Sequence, residues 1–256
     1  MVKKIFSLLF LLGASLFAVE ITTLGEAINL AGKQRMYTQR MLKDYAMAGM
    51  HNTFGNPHED LVKIVSAFED HLDALDRFAK EPKIKEKIAQ AKSQWQPIKQ
   101  MLLAKPNKAN AAKLQIALDQ LLHTSDEITK GFAALSQTSA GEIINISGRQ
   151  RMLSQRMASL YMLKVWGIND PQFKQKLSDA MQLFKTSLQK LKAYEKNTPE
   201  IRAHLEKAGR AFMFFEIMGH SNSKFIPSLI YRKSNEILRD MDAATKLYAK
   251  LETNKG

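Results

Sequence analysis

The feature that most constrains this chain is a fourteen-residue string that occurs twice. The first copy is Ile28-Asn29-Leu30-Ala31-Gly32-Lys33-Gln34-Arg35-Met36-Tyr37-Thr38-Gln39-Arg40-Met41. The second is Ile144-Asn145-Ile146-Ser147-Gly148-Arg149-Gln150-Arg151-Met152-Leu153-Ser154-Gln155-Arg156-Met157, so that Asn29 and Asn145 stand 116 positions apart. Gly25-Glu26 returns as Gly141-Glu142, which extends the match upstream. Apolar packing alone does not hold Asn, Gly, Gln and two Arg at fixed spacing. The fold must therefore be internally duplicated, with the same polar task performed by both copies.

The rest of the chain reads as helix. It contains only 12 Gly and 7 Pro in 256 residues, 45% of it is hydrophobic and 25% charged. Breakers are scarce and good helix formers follow one another. The first motif helix is expected over about 21–50. Asn56-Pro57 opens a second helix with Asn56 as its cap, and Glu81-Pro82 a third, with Pro97 inside it. A fourth starts near Lys108, and a soft break is expected between Ser136 and Gly141. The second half repeats the plan: a motif helix to Trp166, a turn at Asp170-Pro171 that mirrors the earlier one, and a start at Pro199. Phe212, Phe214 and Phe215 stand where the first half has Trp95, and a last helix begins at Pro227. The predicted fold class is all-α: two tandem antiparallel four-helix-bundle repeats, 19–135 and 136–256, forming a pseudo-dimer.

Residues 1–18 read as a signal peptide: Lys3 and Lys4, an apolar run from Ile5 to Leu12, then small residues up to Ala18. The expected location is the periplasm, with no membrane-spanning segment after cleavage and no output domain. There is no Cys, which excludes disulfides and thiolate metal sites. The net charge of +13 attracts anions, but the Lys residues are spread over most helices, and no nucleic-acid motif is present.

The motif itself offers anion chemistry. Arg35 and Arg151 carry forked, permanently charged donors suited to small oxyanions. Gly32 and Gly148 lie one turn earlier and permit close approach of a neighbouring backbone or ligand. If the motif helices cross there, the two guanidinium groups face each other across a pseudo-twofold axis, and an anion between them relieves their repulsion. Gln39 and Gln155, one turn on, are expected to donate to that anion; Asn29 and Asn145 are expected to hydrogen-bond across the helix pair. Arg40 and Arg156 sit about 140° round the helix from the first arginines. They are expected to pair with carboxylates or to carry the electrostatic field of the site, in a supporting role shared with Met36 and Met152. The opposing reading is that both copies keep these residues for the same ion pairs, with Glu26 and Glu142, or a carboxylate from another helix, neutralising each Arg.

The repeated string resembles the signature of the PilJ-type domain, the N-terminal sensor module of type IV pilus methyl-accepting chemotaxis transducers. It is also similar to the periplasmic motif of nitrate/nitrite sensor kinases. The resemblance implies a periplasmic four-helix bundle in which the anion lies between two motif helices, with Arg35 and Arg151 as its main contacts. The expected function is therefore binding or sensing of a small oxyanion such as nitrate or nitrite, passed to a membrane-bound sensor kinase or chemoreceptor. The rival is a helical adaptor that binds such a membrane partner or a pilus component without any small ligand. No cofactor, metal or nucleic acid is expected. Met47-x-x-Met50-His51 and Met213, Met218 and His220 have soft-ligand character, but Met at helical spacing is more often core filling. No nucleophile, paired His or phosphate loop supports an enzyme.

Overall fold

The computed structural model describes residues 19–136, 139–220 and 226–253, in which there are eight helices and no strand. The leader reading falls on residues 1–18, outside the described residues. The helices are α1 Leu24–Gly49, α2 Pro57–Phe78, α3 Pro82–Leu103, α4 Lys108–Leu135, α5 Ser139–Trp166, α6 Phe173–Lys192, α7 Pro199–His220 and α8 Pro227–Thr253. Among the described residues no helix is long and apolar enough to cross a membrane.

The first four helix starts have a local chemical cause. Thr23 caps α1 in a capping box: its hydroxyl accepts from the Glu26 N–H at 3.1 Å while the Glu26 carboxylate reaches back to the Thr23 N–H at 3.2 Å. Thr23→Ala is expected to cost about 1 kcal/mol, readable as a lower melting temperature. Proline at the first position opens α2 and α3, where its missing N–H costs nothing. Asn107 caps α4 by accepting from the Asn110 N–H at 2.9 Å. α4 ends at Leu135 and Ser136 is non-helical, at the start of the expected break.

One expected cap differs, and so does one helix start. Asn56 occupies the N-cap of α2 but makes no capping bond, because its left-handed backbone (φ 50°) turns the side chain away from the first N–H groups. Asp170-Pro171 does not start α6, which begins at Phe173. Asp170 instead accepts from the Gln172 N–H and from Gln115 and Lys176, which holds the turn against α4.

The two motif helices, α1 and α5, form the centre. Both are buried around nearly their whole circumference, polar residues included. α1 packs on α2, α4, α5 and α8; α5 packs on α1, α4, α6 and α8. The residues that meet between α1 and α5 keep close to the offset of the repeat, from Gly32 against Gly148 to Gly49 against Trp166. The two helices therefore run parallel and in register, as in a contact between two identical subunits. The outer layers repeat as well: the Phe68 and Trp95 ring centres lie 4.3 Å apart with the rings tilted, and Phe184 stacks on Phe212 with ring centres 4.4 Å apart. Phe212 is thus the residue that takes the place of Trp95. The buried apolar residues of both halves join in one continuous core.

Candidate functional site

The site grows from the glycines. A methyl group on Gly32 would sit 3.1 Å from Arg151 Nη2 and 3.4 Å from Arg35 Nη2; one on Gly148 would meet the same two atoms at 3.2 and 3.4 Å. The space left by two missing side chains is filled by two guanidinium groups. Each arginine crosses to the opposite motif helix. Arg35 Nη1 donates to Asn145 Oδ1 at 2.8 Å and its Nη2 to the Asn145 carbonyl at 3.1 Å. Arg151 repeats this on Asn29, at 2.9 and 3.0 Å. Asn29 and Asn145 thus accept hydrogen bonds across the helix pair.

The neutralising carboxylates come from the outer helices. Arg35 Nη1 binds Asp126 of α4 at 2.6 Å, and Arg151 Nη1 binds Asp242 of α8 at 2.6 Å. The second oxygen of each Asp takes a lysine one turn on, Lys130 at 2.7 Å and Lys246 at 2.8 Å. Glu26 and Glu142 are used elsewhere, the first in the α1 cap and the second with Lys190. Burial alone would raise the Asp242 carboxyl, but Arg151, Lys246 and Lys33 together hold it at about 2. Burial pulls Arg35 down to about 10 against the attraction of Asp126, which leaves it cationic at neutral pH. Both arginines have no solvent exposure, and among the described residues the Nε of each has no hydrogen-bond partner.

A glutamine in each copy locks the helix rotation. Gln34 Nε2 donates to the Phe68 carbonyl at 3.0 Å and Gln150 Nε2 to the Phe184 carbonyl at 2.9 Å. Thr38 and Ser154 bond back to the carbonyls of Arg35 and Arg151. Met36 and Met152 are buried in the core beside this layer.

Gln39 and Gln155 form a second layer rather than contacts to the guanidinium groups. Gln39 donates to Asp119 and accepts from Ser159, the residue four after Gln155. Gln155 donates to the Ser234 carbonyl and accepts from Lys43, the residue four after Gln39. Arg40 and Arg156 pair with carboxylates as expected, Arg40 with Asp60 and Arg156 with Asp119, each at 2.6 Å. Of the soft-ligand candidates, Met47 is buried in the core and His51 faces solvent on the turn after α1; the side chains of Met218 and His220 lie outside the described residues.

Asp126 and Asp242 are the residues that sequence reasoning missed. Their signal is a second, shorter repeat at the same offset: Asp126-x-x-Thr129-Lys130 and Asp242-x-x-Thr245-Lys246. A competing likeness, Ser125-Asp126-Glu127-Ile128 with Ser234-Asn235-Glu236-Ile237, lies at a different offset and points away from it.

Comparison with known proteins agrees with this frame. The family described as Type IV pili methyl-accepting chemotaxis transducer N-term (PilJ) matches residues 21–123 and 132–209, with one motif copy in each segment. No curated protein and no solved structure matches. The matched segments cover most of the chain, including both arginine-bearing helices: this protein belongs to the PilJ family of chemotaxis-transducer sensor domains.

Proposed function

We propose that this chain is a periplasmic sensor module that takes a small oxyanion, nitrate or nitrite, between its two motif helices and reports it to a membrane-bound sensor kinase or chemoreceptor. The observation that carries the reading is the pair of buried guanidinium groups meeting at Gly32 and Gly148, each with an Nε–H that has no partner among the described residues. A planar anion at this crossing competes with Asp126 and Asp242 for the same cations. Displacing those carboxylates changes how α4 and α8 sit on the motif helices, and that change is the signal. The basic leader supports export, and the duplicated motif supports one chain doing what a two-subunit sensor does with two.

One observation favours the adaptor reading. Each arginine already has a carboxylate at 2.6 Å, so the motif also works as a packing device that joins the two halves. The readings separate in a thermal-shift panel. Millimolar nitrate or nitrite is expected to raise the melting temperature, since a ligand that favours the native state stabilises it. The rise is expected to grow in Asp126→Asn and Asp242→Asn, which remove the competitor, and to vanish in Arg35→Ala. If no oxyanion shifts the wild-type chain or the two Asn variants, the adaptor reading replaces the sensor.

A further inference from the structure

Beside the symmetric arginine layer lies a cluster that breaks the symmetry. Lys43 and Asp44 on α1 have no solvent exposure, yet the matching positions on α5 are Ser159 and Leu160. Lys43 Nζ donates to Gln155 Oε1 at 2.8 Å and to Asn235 Oδ1 at 2.9 Å, and lies 4.1 Å from the centre of the Tyr231 ring. It thereby ties α1 to both α5 and α8. Its nearest carboxylate, Asp44, is 3.7 Å away.

The exchange has a traceable cause. Asp119 of α4 and Asn235 of α8 occupy matching positions in the repeat. Arg156 crosses to the charged Asp119. Arg40, its counterpart, has a neutral Asn235 at the matching position of α8 and pairs with Asp60, which it grips through Nε at 2.9 Å and Nη2 at 2.6 Å. That grip keeps Asp60 ionised.

Asp44 is the odd member. Neither of its oxygens accepts a hydrogen bond from any described donor, and Arg40 Nε stays 4.0 Å away. The Asp60 carboxyl is its acidic neighbour, close enough that each acts on the other's proton affinity. Two carboxylates cannot bond to each other, whereas a carboxylic acid and a carboxylate can. A fully buried, unbonded carboxylate is also costly, and such a group neutralises instead. We propose that Asp44 carries a proton that it donates to Asp60, and that loss of this proton draws Lys43 off Gln155 and Asn235 toward Asp44, making the cluster a proton-controlled latch on the contact of α1 with α5 and α8.

Every neighbouring group bears on the sign. On α1 these are Arg40 and Lys43, on α2 Asp60, and on α8 Tyr231; α5 and α8 add the neutral Gln155 and Asn235. Burial pushes Asp44 well above the ordinary carboxylate range, and the ionised Asp60 adds to this against the attraction of Lys43 and Arg40. The native state therefore binds this proton more tightly than the unfolded chain. Stability from Asp44 is full below its unfolded pKa of about 3.9 and is lost as pH rises through its folded value. Burial pulls Lys43 down to about 8, so its contribution has the opposite sign and grows only as pH rises from there toward its unfolded value of about 10.4. The proposal is independent of which anion, if any, the arginine layer takes.

The test is a carboxyl 13C NMR titration of the full chain, followed at Asp44, Asp60 and the side-chain amides of Gln155 and Asn235. The expected result is an Asp44 transition well above the ordinary range, an Asp60 transition below it, and amide shifts of Gln155 and Asn235 that track Asp44. In parallel, Asp44→Asn keeps a neutral donor facing Asp60, so its melting temperature is expected not to fall with pH where that of the wild-type chain does. An Asp44 that titrates as an ordinary carboxylate overturns the proposal. So do amides that stay still through the Asp44 transition, or an Asp44→Asn chain with the wild-type pH slope.

Discussion

Arg35→Ala is expected to cost the fold about 3 kcal/mol, the lower end of what breaking a buried pair on one side costs. The loss is of this size because three partners are stranded at once. Asp126 loses the cation at 2.6 Å, and Asn145 loses donors to both its side-chain oxygen and its carbonyl. It stays at the lower end because Asp126 is 24% exposed and keeps Lys130. In a chain of this size each kcal/mol is worth about 2–4 °C, so thermal denaturation should show a drop of roughly 6–12 °C. Arg151→Ala should match it, since Asn29, Asp242 and Lys246 repeat the environment bond for bond. Arg35→Lys keeps the charge but not the fork, and one ammonium cannot hold Asp126 and both Asn145 oxygens in these directions; an intermediate loss is expected. The double variant Arg35→Ala with Asp126→Ala should cost less than the two single losses added together, because the stranded charge is removed with its partner. A single-variant loss below about 1 kcal/mol would show that the layer contributes little to the junction between the halves.

The second large effect is expected at the other end of the same helix contact. Gly49 closes α1 against the Trp166 indole of α5, and a methyl group there would lie 2.1 Å from Cζ2 and 2.3 Å from Cη2. Alanine is intrinsically the better helix residue by about 1 kcal/mol, so propensity alone would make Gly49→Ala stabilising. Packing decides the sign. Trp166 is buried and set edge-on to Tyr45 at 6.1 Å, so moving the ring disturbs the core around it. Overpacking of this kind costs about 1–3 kcal/mol. Gly49→Ala is therefore expected to lower stability and shift Trp fluorescence, and Trp166→Ala in the same chain should remove the clash term. A stabilised Gly49→Ala chain would mean that α1 and α5 separate easily at this end.

These two predictions mark the ends of a parallel helix pair whose existence is written in the repeat. The duplication, the helical content and most helix starts are local matters: Thr23 with Glu26, Pro57, Pro82 and Asn107 act within a few residues of themselves. The periodicity also separates Arg35 from Arg40 on the helix surface, and Gly32 with Gly148 marks where two such helices meet. Asn29 and Asn145 follow from the same reasoning, because a motif that pairs with its own copy must place partners at matching offsets.

Partner choice across the bundle is not local, and there the tertiary structure decides. Arg35 finds Asp126 across 91 positions, and Gln39 finds Ser159 across 120. Which carboxylate neutralises which arginine depends on the rotation and depth of α4 and α8, to which a pattern within one helix is blind. Gln39 and Gln155 share the face of the arginines by phase, yet the parallel register brings Ser159 and Lys43 to them first. The replacement of Ser159-Leu160 by Lys43-Asp44 is visible in the sequence as two unlike pairs. Only the packing turns it into a buried ammonium bonded to neutral oxygens beside a carboxyl that has no donor among the described residues. By itself the sequence determined a duplicated all-α sensor domain with its arginines and glycines in place. The identity of the counter-charges, and with it the breaking of the twofold symmetry, was decided by helix packing, because a charge buried in a core takes whichever partner the neighbouring helices bring within hydrogen-bonding distance.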